Sequence, residues 1–137
     1  MRFVDTNILF YAFDRTQGKK HEEAKGIFKK ISTGEAEGCV SNQVLSELYA
    51  AMTTKLGEET ETALAIVAGI LEADSWKKVN YTAQSVAAAA ELSRRSGAHF
   101  WDALIAQTML ENKISEIITE DEGFSKIPGI RTLNPFK

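Results

Sequence analysis

The stretch Arg2-Phe3-Val4-Asp5-Thr6-Asn7-Ile8-Leu9-Phe10-Tyr11-Ala12-Phe13 decides the fold class of this 137-residue chain. Arg2 to Val4 has the aromatic and β-branched character of a short strand. Asp5-Thr6-Asn7 stops it, because Asp and Asn side chains offer the backbone competing hydrogen bonds. Ile8 to Phe13 then reads as a short helix. A strand that gives way at once to a helix is the opening of an α/β unit.

The same alternation continues outward from that start. From Lys19 to Ile31, the apolar residues Ala24, Ile27, Phe28 and Ile31 recur at three- and four-residue steps, predicting an amphipathic helix that ends near Gly34. Glu37 to Val40 suits a buried strand. Ser41 then caps a helix carrying Val44, Leu45, Leu48 and Met52 on one face. Gly57 breaks that helix, and a further one from about Glu58 to Glu72 carries Leu64, Val67 and Leu71. Lys77 to Asn80 predicts a strand, with Thr82 capping an Ala-rich helix that runs to Ser96-Gly97. Its tract Ala87-Ala88-Ala89-Ala90 reads as a close-packed helix face. Phe100 to Glu111 is another helix, Ile114 to Thr119 a strand, Glu120 to Gly123 a turn, and Gly129 to Leu133 a last short strand.

Strands separated by helices imply an α/β fold: a mostly parallel central sheet flanked by helices, joined by right-handed crossovers. No linker or repeat divides residues 1–137, so a single domain is expected. In such sheets ligands collect outside the carboxyl ends of the strands, and this rule turns the fold into a site prediction.

Composition narrows the function. The single cysteine, Cys39, lies in an apolar run; it excludes an internal disulfide or a zinc cluster and reads as a buried, inert thiol. No apolar run approaches the ~18 residues of a membrane span. Asp5 and Asn7 interrupt the N-terminal apolar stretch where a secretory signal would be continuous. The expected location is therefore the cytoplasm. A net charge of −3 argues against nucleic-acid binding over the whole surface. Locally, however, Arg15, Lys19, Lys20, Lys25, Lys29 and Lys30 face only Glu22 and Glu23, which is either a basic patch or a solvated helix face.

Four carboxylates remain to be explained. Asp5 follows the first strand and Asp121, with Thr119, follows the Ile114 strand, so both fall at the carboxyl edge. Taken singly, Asp5 reads as a cap and Asp121 as part of a polar turn. Glu47 lies off the apolar stripe of its helix, and its helical neighbours Gln43, Val44, Ala50 and Ala51 supply no ion-pair partner. Asp102 suits the first turn of its helix through the dipole, yet Phe100, Trp101 and Ala103 to Ala106 surround it with apolar sequence. Converging carboxylates repel each other, and a divalent cation resolves that repulsion. All-oxygen ligation without cysteine selects a hard ion, Mg²⁺ or Mn²⁺. Such a centre activates water and stabilises charge on a phosphodiester. The chain lacks a Lys-bearing phosphate loop and a Gly-x-Ser-x-Gly elbow.

At these residues the sequence resembles the PIN-domain ribonucleases, especially the VapC-type toxins of toxin–antitoxin pairs. The matching segments are Phe3-Val4-Asp5-Thr6-Asn7-Ile8-Leu9, Ser41-Asn42-Gln43-Val44-Leu45-Ser46-Glu47-Leu48, Trp101-Asp102-Ala103-Leu104-Ile105-Ala106 and Ile118-Thr119-Glu120-Asp121-Glu122-Gly123-Phe124. The resemblance implies a PIN-like three-layer sandwich with Asp5, Glu47, Asp102 and Asp121 around Mg²⁺ or Mn²⁺. Thr6, Asn7 and Thr119 would orient the carboxylates or water. It further implies cleavage of single-stranded or structured RNA by metal-activated water, a homodimer, and silencing by a cognate antitoxin. Many members carry a further aspartate where this sequence has Gly123, so no fifth acidic ligand is assigned.

The remaining candidates read as structure or as contacts to the RNA backbone. Trp101 is expected to be a packing anchor rather than a stacking platform. His21 and His99 have no partner spacing for metal or triad chemistry. Arg15, Lys19, Lys20, Arg94 and Arg95 are candidates for holding phosphates. Three other functions compete with a toxin: a PIN nuclease of general RNA processing or turnover, a non-catalytic RNA- or protein-binding module, and a phosphatase or phosphoacceptor domain. The last needs a second aspartate where Asn7 stands.

Overall fold

Five short strands lie side by side in one sheet: β1 (Arg2–Val4), β2 (Gly38–Ser41), β3 (Trp76–Val79), β4 (Glu116–Ile118) and β5 (Arg131–Leu133). A computed structural model describes every residue from Met1 to Lys137. The strand order is β3-β2-β1-β4-β5, and every neighbouring pair is parallel. Phe3 pairs with Cys39 on one side and with Ile117 on the other, so β1 is the central strand. The chain winds outward from β1 to β3, then returns to the opposite flank of β1 as β4. The order therefore reverses between β1 and β4, where α/β sheets place their ligands.

Six helices connect the strands: α1 (Thr6–Phe13), α2 (Lys19–Ser32), α3 (Asn42–Thr54), α4 (Thr60–Glu72), α5 (Ala83–Ser96) and α6 (Phe100–Glu111). In packing, α1 joins α2 and α3, and α3 joins α4; α5 packs on α6. Right-handed crossovers in opposite directions set these two groups on opposite faces, giving the expected sandwich. The sheet is buried accordingly, with Phe3, Val4, Cys39, Val40 and Ile117 inaccessible to solvent. Burial also pushes the Cys39 thiol up to about 11, which keeps it an unreactive core residue. Trp76 is likewise buried, and its indole Nε1 donates to Ser32 Oγ at 3.0 Å.

Several local expectations are corrected. Helix α1 begins at Thr6 rather than Ile8, because the Asp5 side chain accepts from Thr6 N at 2.7 Å and caps it. Ser41 ends β2 as well as capping α3, where its Oγ accepts from Val44 N. After Asp121 the chain forms a short 3-10 helix, Glu122–Lys126, rather than a bare turn. Helix α4 is rotated away from the expected face: Leu64 and Leu71 are 61% and 52% exposed, while Ala63 and Ile70 are buried. Its inward stripe is Ala63 and Ile70, with Ile66 partly buried between them. The alanine tract of α5 contributes only Ala89 to the core, in a stripe with Ser85 and Leu92.

Candidate active site

Asp5 sits directly beyond β1 and remains tied into the sheet, its N–H donating to Ile118 O at 3.0 Å. Its side chain is 7% exposed. Oδ1 accepts from Thr6 N and Oδ2 accepts from Thr119 Oγ1, each at 2.7 Å. Burial holds the carboxyl up at about 6; the two hydrogen bonds oppose that rise, and the charges of Glu47 and Asp121 add to it. Thr119 follows β4 in the same way. Its hydroxyl also accepts from Asp121 N at 2.9 Å, and from Asn7 Nδ2 at 3.5 Å.

The helices bring in the other two acids. Glu47 projects from α3, and Thr6 Oγ1 donates to its Oε1 at 2.8 Å, so α1 and α3 are joined at the site. Asp102 lies in the first turn of α6, where the dipole favours a negative charge. Burial outweighs that preference and raises its carboxyl to about 7. The neighbouring Asp121 adds to the rise, first through its charge and then through a hydrogen bond with Asp102, and Asp5 and Glu47 contribute further. Asp121 caps the following 3-10 helix, accepting from Gly123 N at 2.8 Å. Gly123 is packed against this pair: a Cβ there would lie 3.1 Å from both Asp102 Oδ2 and Asp121 Oδ1.

All four predicted acids therefore line one cavity of about 690 Å³, together with Thr6, Asn7, Tyr11, Lys55 and Trp101. None of the four takes part in a salt bridge. No three carboxylate, imidazole or thiol groups stand close enough together to form a ready-made metal cage. The donor set nevertheless suits a hard divalent cation: every candidate ligand is an oxygen, and burial together with the negative neighbours raises the Asp5 and Asp102 carboxyls, a cost that a bound cation relieves. Asn7 adds a buried Oδ1 that has no partner on the same cavity wall.

Other expectations resolve individually. Trp101 is no packing anchor; it is 59% exposed on the rim of the cavity, its ring held edge-on by Phe100. Lys20 reaches Glu120 Oε1 at 2.5 Å and lies over the rings of Tyr11 and Phe136. Arg94 and Arg95 both pair with Glu91 on their own helix. Arg15, His21, Lys25 and Lys29 line a separate cavity of about 870 Å³ beneath α2. Lys55 and Tyr11 were not among the sequence candidates, since neither lies in a charge cluster or polar motif, and Gln43 entered only as a neighbour of Glu47 and as part of a matching segment.

The PIN domain profile matches residues 2–130. The chain belongs to the PIN domain family. No curated protein matches its sequence. Among solved structures, this PIN domain resembles VapC20 of Mycobacterium tuberculosis, described as a sarcin-ricin loop cleaving toxin, with a TM-score of 0.72 and 23% identity over 96% of this chain and 99% of that one. A chain of the DNA-bound VapBC of Salmonella typhimurium matches with a TM-score of 0.69 and 22% identity, covering 98% of each chain. A toxin–antitoxin complex of Klebsiella pneumoniae gives 0.66 and 23%, again over 98% of each chain. The PIN domain here carries no helix long and apolar enough to cross a membrane.

Proposed function

We propose that this chain is a metal-dependent endoribonuclease that cleaves single-stranded RNA, acting as the toxin of a toxin–antitoxin pair. The observation that carries the reading is the convergence of Asp5, Glu47, Asp102 and Asp121 in one cavity at the switch point of the sheet, with none of them neutralised by a basic partner. A protein that only binds has no use for such mutual repulsion.

Asp5, Glu47, Asp102 and Asp121 would hold Mg²⁺ or Mn²⁺. Once bound, such an ion supplies an activated water and neutralises charge developing on a phosphodiester. The chain's own residues do the positioning. Thr119 fixes the rotamer of Asp5, and Thr6 fixes that of Glu47. Asn7 offers its Oδ1 to a water or to the 2′-hydroxyl of the strand. Lys55 on the rim is placed to contact a phosphate. The toxin assignment is supported by the likeness to three solved toxin or toxin–antitoxin chains. A cognate antitoxin and a homodimer belong to that assignment. It predicts a small adjacent gene encoding a DNA-binding partner.

Incubation of the purified protein with single-stranded RNA in Mg²⁺, Mn²⁺ or EDTA tests the chemistry, with Asp5→Asn alongside. Internal cleavage that needs the metal and disappears in Asp5→Asn is expected. Cutting in EDTA, or full activity of Asp5→Asn, overturns the mechanism.

A further inference from the structure

Trp101 precedes Asp102 on α6, and the core makes no use of its ring. Beside it lies a smaller cavity of about 350 Å³, lined by Gln43, Ser46, Glu47, Ala50, Tyr81 and Trp101. This cavity shares Glu47, Ala50 and Trp101 with the acidic cleft, so the two adjoin. Small Ala50 leaves room between the aromatic groups.

Two features fix the Trp101 platform in place. Phe100 holds the ring edge-to-face at a centroid distance of 5.2 Å. Gln43 Nε2 donates to the Trp101 carbonyl at 3.1 Å. A carbonyl only accepts, so the amide nitrogen of Gln43 must face it and Oε1 must turn away. Gln43 is 5% exposed, and its Oε1 has no hydrogen-bond partner. Gln43 lines the cavity, and its buried acceptor without a donor would be satisfied by an N–H group that reached it.

We propose that this cavity is a nucleobase subsite: one base of the bound RNA stacks on Trp101 and offers an N–H edge toward Gln43, while its phosphate lies over the neighbouring acids. Aromatic faces accept any base, and a hydrogen-bonding edge adds preference. This inference rests on the reading of the acidic cleft as an RNA site.

An abasic scan tests it. Binding of fluorescently labelled RNA hexamers, each lacking one base, is measured by anisotropy with Ca²⁺ in place of Mg²⁺, so that a hard divalent ion offsets the charge of the acids while cleavage is kept low. In wild-type protein, one abasic position is expected to cost about tenfold in affinity. In Trp101→Ala that position ceases to matter and the intact hexamer binds about tenfold more weakly, while Trp101→Phe keeps most of the effect. Equal abasic costs in wild type and Trp101→Ala overturn the proposal. So does a Trp101→Ala protein that changes oligomeric state by light scattering yet binds RNA as before, because the ring would then belong to an interface between copies. Cleavage is scored separately. The abasic signature without any cutting in Mg²⁺ or Mn²⁺ removes the nuclease reading and keeps the subsite; cutting without the signature does the reverse.

Discussion

The Thr119 hydroxyl donates to Asp5 Oδ2 at 2.7 Å across 114 positions of sequence, and so ties together the ends of β1 and β4. The same oxygen accepts from Asp121 N. One side chain thus couples two of the four acids at the point where strand order reverses, using its single proton and its lone pairs in a self-consistent way. The geometry of the site depends on this hydroxyl more than on any charge pair.

Thr119→Val keeps the shape and removes the donor. Asp5 then keeps only the bond from Thr6 N, and Asp121 N loses its acceptor. Cleavage is expected to fall about 10- to 100-fold, the usual cost of losing a group that orients a metal ligand. Thr119→Ser should retain most activity. Equal rates for the valine and serine variants in a steady-state RNA cleavage assay would remove the hydroxyl from the mechanism.

The pH dependence of stability follows from the raised carboxyls, about 6 at Asp5 and about 7 at Asp102, against 3.8 ordinarily. Between about pH 4 and pH 7 the native protein holds protons that the unfolded chain has lost. Stability of the metal-free protein therefore falls as pH rises through that window. Asp5, buried at 7% exposure, accounts for about 3 kcal/mol of the change. Calorimetry in EDTA should give a higher Tm at pH 5 than at pH 8, and Asp5→Asn should flatten the slope. Adding Mg²⁺ should restore the wild-type Tm at pH 8, where the carboxylates are free to bind it. A Tm that rises from pH 5 to pH 8 in EDTA contradicts the electrostatics of the site.

Much of this was legible in the sequence. The strand-to-helix break at Asp5, the Ser41 and Thr82 caps and the isolation of Glu47 from basic neighbours are local signals, and each survives folding. What failed depends on tertiary choice. Leu64 and Leu71 share a helical face with good apolar spacing, but α4 packs through the adjacent face of Ala63 and Ile70, which apolar spacing alone does not distinguish. Trp101 is strongly apolar, yet it is left at the rim by the same turn of α6 that carries Asp102 to the cavity. The pairing of Lys20 with Glu120 spans 100 positions, so no window along the chain reveals it.

Asp102→Asn separates repulsion from structure. Burial, and then three negative neighbours, raise the Asp102 carboxyl, so a neutral amide relieves the cluster. The metal-free variant should melt at the same temperature as wild type or higher at pH 8, while RNA cleavage is abolished. A marked drop in Tm would make Asp102 a residue of the fold rather than of the site.

Gly123 is where the cluster has least slack. A Cβ there meets Asp102 Oδ2 and Asp121 Oδ1 at 3.1 Å, so the two carboxylates must shift by a few tenths of an ångström. The atoms in the way are side-chain ends, and the glycine is not in the left-handed region, so the backbone tolerates substitution. Gly123→Ala should accordingly fold, with a modest stability loss of about 1 kcal/mol and a larger loss of cleavage as Asp102 and Asp121 part. Gly123→Asp adds a third carboxylate to that pair. Its Tm in EDTA should fall further than that of the alanine variant, and Mg²⁺ should recover more of it than in wild type, because an added ligand strengthens binding while added repulsion weakens the metal-free state. Thermal denaturation of the three proteins with and without Mg²⁺ distinguishes the cases. Equal Mg²⁺ shifts for glycine, alanine and aspartate at position 123 would mean that Asp102 and Asp121 do not act together on the ion.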